Sequence, residues 1–131
     1  MLTLSRSLYD EMVTHLRACY PEEGCGLLSG RDGMVTAVIP IANVLRSRTR
    51  FLMDPAEQVA GMLAIVERDE DLLAIYHSHP HSAPYPSATD KLEHAYPEAY
   101  AVIVSLVSDP PQAGLYRIKN NEVTHGDIFL V

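Results

Sequence analysis

The chain has 131 residues, the length of one domain, and residues 1–131 are expected to form it. A hydrophobic fraction of 47% suffices for a core without disulfides, and a formal net charge of −7 argues against a nucleic-acid surface, which would be basic. No apolar run is long enough to span a membrane.

In chain order, Ser5 or Ser7 can cap a first helix carrying Leu8, Met12, Leu16 and Cys19 on one face. Asp10 and Glu11 interrupt any signal-peptide core. The two cysteines, Cys19 and Cys25, make no disulfide framework, so a reduced, cytoplasmic setting is expected. Cys25–Ser29 and Met34–Ile39 read as strands joined by a hairpin at Gly30-Arg31-Asp32-Gly33. Cys25 shares strand parity with Glu23, and its expected role is that of a small buried hydrophobe. Arg46, Arg48 and Arg50 form a basic cluster, read either as a solvated loop or as a contact for an acidic partner or its tail. Phe51-Leu52-Met53 suggests a short strand. Asp54 then caps a helix with Pro55 at its first position and Glu57 at its third, and Val59, Met62, Leu63 and Val66 mark the face expected to turn inward.

Leu72-Leu73-Ala74-Ile75-Tyr76 is a buried-strand signal that runs into His77-Ser78-His79-Pro80. On a strand His77 and His79 project to the same side, and Pro80 ends the ladder. After a proline-rich loop, Ser87-Ala88-Thr89-Asp90 opens a helix in which Asp90 can face back towards the histidines. Ser87 and Asp90 also fit a capping box, which accounts for both residues without a metal. The two readings are compatible, because the cap would orient the ligand. Two imidazoles and one carboxylate leave a tetrahedral metal one ligand short, the pattern of a catalytic rather than a structural site. His81 could add a third imidazole to an adventitious surface site. Ala101–Val107 reads as another buried strand, and Gly114–Ile118 and Glu122–His125 as a hairpin around Asn120-Asn121. His15, His94 and His125 fit no motif.

The stretch from His77 to Asp90 resembles the signature of the JAMM (MPN-plus) zinc metalloproteases, H-S/T-H-P, six residues, then S-x-x-D. Pro21-Glu22-Glu23-Gly24-Cys25-Gly26-Leu27-Leu28-Ser29-Gly30 resembles that family's upstream block. The resemblance implies a single MPN domain, a mixed, mostly antiparallel sheet flanked by helices in a cytidine-deaminase-like α/β fold. It implies Zn2+ held by His77, His79 and Asp90, with Glu23 as the proton-transferring catalytic residue and Ser87 as donor to the carbonyl oxygen. Small stand-alone prokaryotic members are the nearest in kind. The implied activity is hydrolysis of a peptide or isopeptide bond after the C-terminal Gly-Gly of a ubiquitin-like or sulfur-carrier protein. The tail could lie as an added strand along an edge near Arg50–Met53. That carrier protein is the expected partner, a homodimer the expected assembly, with neither nucleic acid nor membrane involved.

Other readings are weaker in specified ways. A non-haem iron oxygenase also uses two histidines and a carboxylate, but leaves Glu23 and Ser87 without roles. A zinc deaminase needs H-x-E and P-C-x-x-C blocks, which the chain lacks. A non-catalytic MPN scaffold would have no need of the intact ligand set.

Overall fold

The computed structural model describes residues 1–131. Its elements are β1 (Leu2–Leu4), α1 (Arg6–Cys19), β2 (Cys25–Arg31), β3 (Met34–Ile41), α2 (Pro55–Glu67), β4 (Asp71–His79), α3 (Ala88–Glu93), β5 (Tyr100–Ser105), β6 (Gln112–Lys119), β7 (Glu122–Gly126) and β8 (Ile128–Leu130). All eight strands join one sheet in the order β7-β6-β5-β4-β2-β3-β1-β8. The pairs β2–β3, β2–β4, β5–β6 and β6–β7 are antiparallel, and β4–β5, β1–β3 and β1–β8 are parallel. This is the mixed, flanked sheet that the sequence led us to expect. The terminal strands β1 and β8 were not foreseen. Three residues are too few to show a period, although Leu2 and Leu4 are buried.

The chain turns where its side chains permit. Asp32-Gly33 and Asn120-Asn121 form two-residue hairpin loops with all four φ values positive, between +53° and +75°. That is the turn whose twist matches paired strands, and Gly and Asn tolerate it best. Ser5 caps α1 by accepting the Leu8 N–H at 3.1 Å, and Asp54 caps α2 by accepting the Glu57 N–H at 2.9 Å.

Alternation along the strands then buries apolar side chains on both faces of the sheet. On one face α1 buries Met12, Val13 and Leu16 against Leu28, Tyr76 and Val104. On the other, Ile65 of α2 packs onto Cys25, Leu27, Ile41 and Ile75, and Ala101, Ile103, Tyr116 and Ile118 form a further cluster on the same face. Since Ile75 faces α2, His77 and His79 lie on that side too, at the C-terminal end of a central strand.

Two expectations fail. Of the four residues expected to turn inward from α2, Val59, Leu63 and Val66 point to solvent, 59%, 58% and 72% exposed, and only Met62 packs, half-buried, against the core. The helix instead buries Gly61 and Ile65. A Cβ on Gly61 would stand 3.0 Å from Leu27 Cδ1, so the glycine lets helix and sheet approach closely. Phe51-Leu52-Met53 is no strand either: only Met53 makes a single bridge, to Asn43. Backbone bonds from Val44 N–H to Leu52 O and from Asp54 N–H to Ala42 O flank that bridge, and Asn43 adds its side chain, Oδ1 accepting from Leu45 and Leu52 N–H and Nδ2 donating to the Arg50 carbonyl. Residues 50–53 therefore lie outside the eight-stranded sheet, whose edges are β7 and β8.

Candidate metal centre

β4 delivers both imidazoles. His77 Nε2 lies 3.2 Å from His79 Nε2, and the two stand 3.2 and 2.9 Å from the same carboxylate oxygen, Asp90 Oδ2. All three residues are buried. Asp90 reaches them because Ser87 caps α3 with a reciprocal capping box: Ser87 Oγ accepts the Asp90 N–H at 3.0 Å and Ser87 N–H donates to Asp90 Oδ2 at 3.0 Å. The cap and the inward-facing carboxylate are thus a single local structure.

The donor set fits a divalent metal. A tetrahedral ion with bonds of ~2.0–2.1 Å separates its ligand atoms by ~3.3 Å, close to the 2.9–3.2 Å separations here. His79 Nδ1–H donates to the Ala83 carbonyl at 2.8 Å, which leaves Nε2 facing the cluster. Burial lowers the pKa of His77 against the pull of Asp90, favouring the neutral imidazole that a metal requires. Burial would also lower His79, but its hydrogen bonds to Asp90 and Ala83 outweigh this and raise it. Burial would raise Asp90; hydrogen bonds from His77 and His79 overcome it and hold the carboxyl well below the usual range.

Glu23 lies beside this cluster in a different state. It is buried, and its Oε1 has no hydrogen-bond partner. An unpaired buried acceptor costs ~1–3 kcal/mol, more when charged, so this oxygen is suited to a group from outside the chain. Burial pushes its pKa up to about 8, with His79 lowering it and Asp90 raising it. The backbone around it is tied down: Glu23 N–H donates to the Ser47 carbonyl at 2.8 Å, its carbonyl accepts Asn43 Nδ2 at 3.0 Å, and Gly24 N–H donates to Ser78 Oγ at 2.9 Å. Sequence reasoning missed Asn43 and Ser78. Ser78 sits inside the histidine motif; no local signal marks Asn43.

A cleft of about 400 Å³ opens against His77 and Asp90, walled by residues 51–53 on one side and 93–96 on the other. Phe51 lies on His77, ring centroids 4.6 Å apart, and Arg50 pairs with Glu93 at 2.9 Å near the same walls. Cys25 stands opposite His77 across the β2–β4 ladder, yet its sulfur is not among the clustered donor atoms. It is fully buried, donates its thiol to the Ile41 carbonyl at 3.4 Å, and burial raises its pKa to about 12. His81 is exposed and packs on Tyr20, taking no part in the donor set.

Fold and site together define an MPN-type α/β domain in which two histidines and an aspartate, a set that could hold a metal, cluster beside a buried carboxylate. The chain belongs to the family described as prokaryotic homologs of the JAB domain, which matches residues 5–119. It is similar to the CysO-cysteine peptidase of Mycobacterium tuberculosis, 36% identical over 135 aligned positions covering 100% of this chain and 92% of that one. It also resembles the probable TtuB-protein conjugate cleaving protease of Thermus thermophilus, at 38% identity over 78% of this chain and 69% of the other. A Desulfitobacterium hafniense protein of known solution structure superposes with a TM-score of 0.91 at 35% identity, covering 100% of this chain and 93% of that one. A JAB1/MPN domain protein of Archaeoglobus fulgidus shares the fold, with a TM-score of 0.67 at 21% identity over 99% and 97% of the two chains.

Proposed function

We propose that residues 1–131 form a zinc metallopeptidase domain that cleaves the peptide or isopeptide bond after the C-terminal Gly-Gly of a ubiquitin-like or sulfur-carrier protein, in the cytoplasm. The observation that carries this reading is the unpartnered, buried Glu23 carboxylate beside a complete two-histidine, one-carboxylate donor set. The names of the similar proteins, a CysO-cysteine peptidase and a TtuB-protein conjugate cleaving protease, support the substrate class.

His77, His79 and Asp90 would hold the ion. When bound, zinc lowers the pKa of a water from 15.7 to about 7 and polarises a carbonyl. Glu23 takes the proton from the attacking water and returns it to the leaving amine; a pKa near 8 suits both tasks at neutral pH. Ser87 Oγ uses a lone pair to cap α3, which leaves its hydroxyl hydrogen to be donated to the substrate carbonyl oxygen as charge builds there. Two glycines suit the narrow approach, because side chains beside the scissile bond would meet the cleft walls. The iron-oxygenase alternative gives the orphaned carboxylate nothing to do.

The test is incubation of the zinc-loaded protein with small ubiquitin-fold carriers bearing C-terminal extensions, with the products weighed by mass spectrometry. One cut directly after Gly-Gly is expected. Carriers that all remain intact would remove this reading.

A further inference from the structure

The loop that joins the histidines to Ser87 has no regular structure, yet three consecutive carbonyls in it are each bound by a side chain from a different strand. Ser105 Oγ on β5 donates to Ser82 O at 2.6 Å. His79 Nδ1 on β4 donates to Ala83 O at 2.8 Å. Tyr116 Oη on β6 donates to Pro84 O. The three strands are neighbours: Ser105 lies opposite His79, and Tyr116, opposite Ala101 four residues further back, extends its side chain over Gly114 towards the loop. Ser105 and Tyr116 are 2% and 4% exposed, and the Tyr116 ring is held edge-on by Tyr85 and His125, with centroids 5.5 and 4.9 Å away.

Gly114 adds an independent sign that the arrangement is built. A Cβ there would fall 2.4 Å from Tyr116 Oη and 2.7 Å from its ring. Only glycine leaves the slot through which the hydroxyl reaches Pro84. Just Tyr85 and Pro86 separate that carbonyl from Ser87, whose N–H and Oγ hold Asp90. Proline fixes φ at both Pro84 and Pro86, so little slack remains between peg and cap.

We propose that Ser105 and Tyr116, with Gly114 supplying the slot, are positioning residues for the metal centre. By pegging Ser82 and Pro84 on either side of the His79–Ala83 bond, they hold Ser87 and Asp90 against His77 and His79 before a metal arrives. Neither touches substrate or metal; both act through the loop. The proposal rests on the ligand assignment above, and its test separates the two.

Zinc affinity is measured by competition with a chromogenic chelator for wild type, Tyr116→Phe, Ser105→Ala and Gly114→Ala. Alongside it, metal-free thermal unfolding and hydrogen exchange over residues 81–90 are recorded. Tyr116→Phe removes only the hydroxyl and keeps the ring packing, whereas Gly114→Ala keeps the hydroxyl and fills its slot. Loss of partners that orient ligands typically costs 10- to 100-fold in metal affinity. We expect about tenfold weaker zinc binding in Tyr116→Phe, an unchanged metal-free melting temperature, and faster exchange confined to 81–90. Wild-type affinity and exchange in all three variants would overturn the proposal. So would an affinity loss that merely follows a lower metal-free melting temperature, with exchange rising across the whole sheet. If wild-type protein bound no zinc, the ligand assignment would fall, and exchange over 81–90 would still decide whether the pegs hold the loop.

Discussion

Glu23 and Glu70 stand near opposite ends of β2 in opposite conditions. Glu70 accepts hydrogen bonds from Thr36, Arg68 and Ser29; those from Thr36 and Arg68 hold its pKa below the ordinary value. Glu23 has an oxygen with no donor at all, and burial pushes its pKa to about 8. The chemical group is the same, so the difference is one of surroundings. Donors make a carboxylate a structural anion; their absence in a buried site leaves it able to take and return a proton.

The contrast can be broken by substitution. The largest effect belongs to the ligands: His77→Ala should lose zinc and turnover together, read by metal stoichiometry and a single-turnover assay. Glu23→Gln should keep its zinc while turnover falls about 100- to 10,000-fold, the range for a lost general base. A zinc-loaded Glu23→Gln protein with full activity would place the base elsewhere.

Ser87→Ala comes next. Loss of one donor to a developing oxyanion costs about 100- to 1000-fold in kcat. Loss of the α3 cap adds ~1 kcal/mol of destabilisation, visible in denaturant unfolding. A variant destabilised by that amount but fully active would leave Ser87 as a cap only.

The smallest effect is thermodynamic and sharpens the comparison through its sign. In chelated, metal-free protein the folded state binds the Glu23 proton more tightly than the unfolded chain does. Stability contributed by Glu23 should therefore fall as pH rises from about 4.5 to about 8, with a slope of at most about 1.4 kcal/mol per pH unit. Glu70 works the other way: its lowered pKa gives stability that is present above the ordinary carboxylate value and lost as pH falls through the folded one. Chemical unfolding across a pH series should lose the neutral-side slope in Glu23→Gln and the acid-side slope in Glu70→Gln. A Glu23→Gln protein with the wild-type neutral slope would refute the burial argument.

The donor set was legible in the sequence because its geometry is local. Strand parity places His77 and His79 on one side, and a three-residue spacing lets Ser87 and Asp90 cap each other. Both hold here. The same local logic misread α2, since a search for large apolar residues at helical spacing passes over Gly61, the residue that lets this helix sit close. It also took Phe51–Met53 for a strand, where a single bridge with two backbone bonds, Val44 N–H to Leu52 O and Asp54 N–H to Ala42 O, is supplemented by the Asn43 side chain.

Sequence by itself determined which residues can ligate a metal and how each is oriented by its immediate neighbours, for these depend on backbone periods a few residues long. Tertiary structure alone decided that Glu23 has a buried place with an oxygen lacking a donor, that α2 turns its valines outward, and that Ser105 and Tyr116 meet the loop after His79. Burial and hydrogen-bond partnership depend on what distant segments bring to the same point, and no local spacing encodes that.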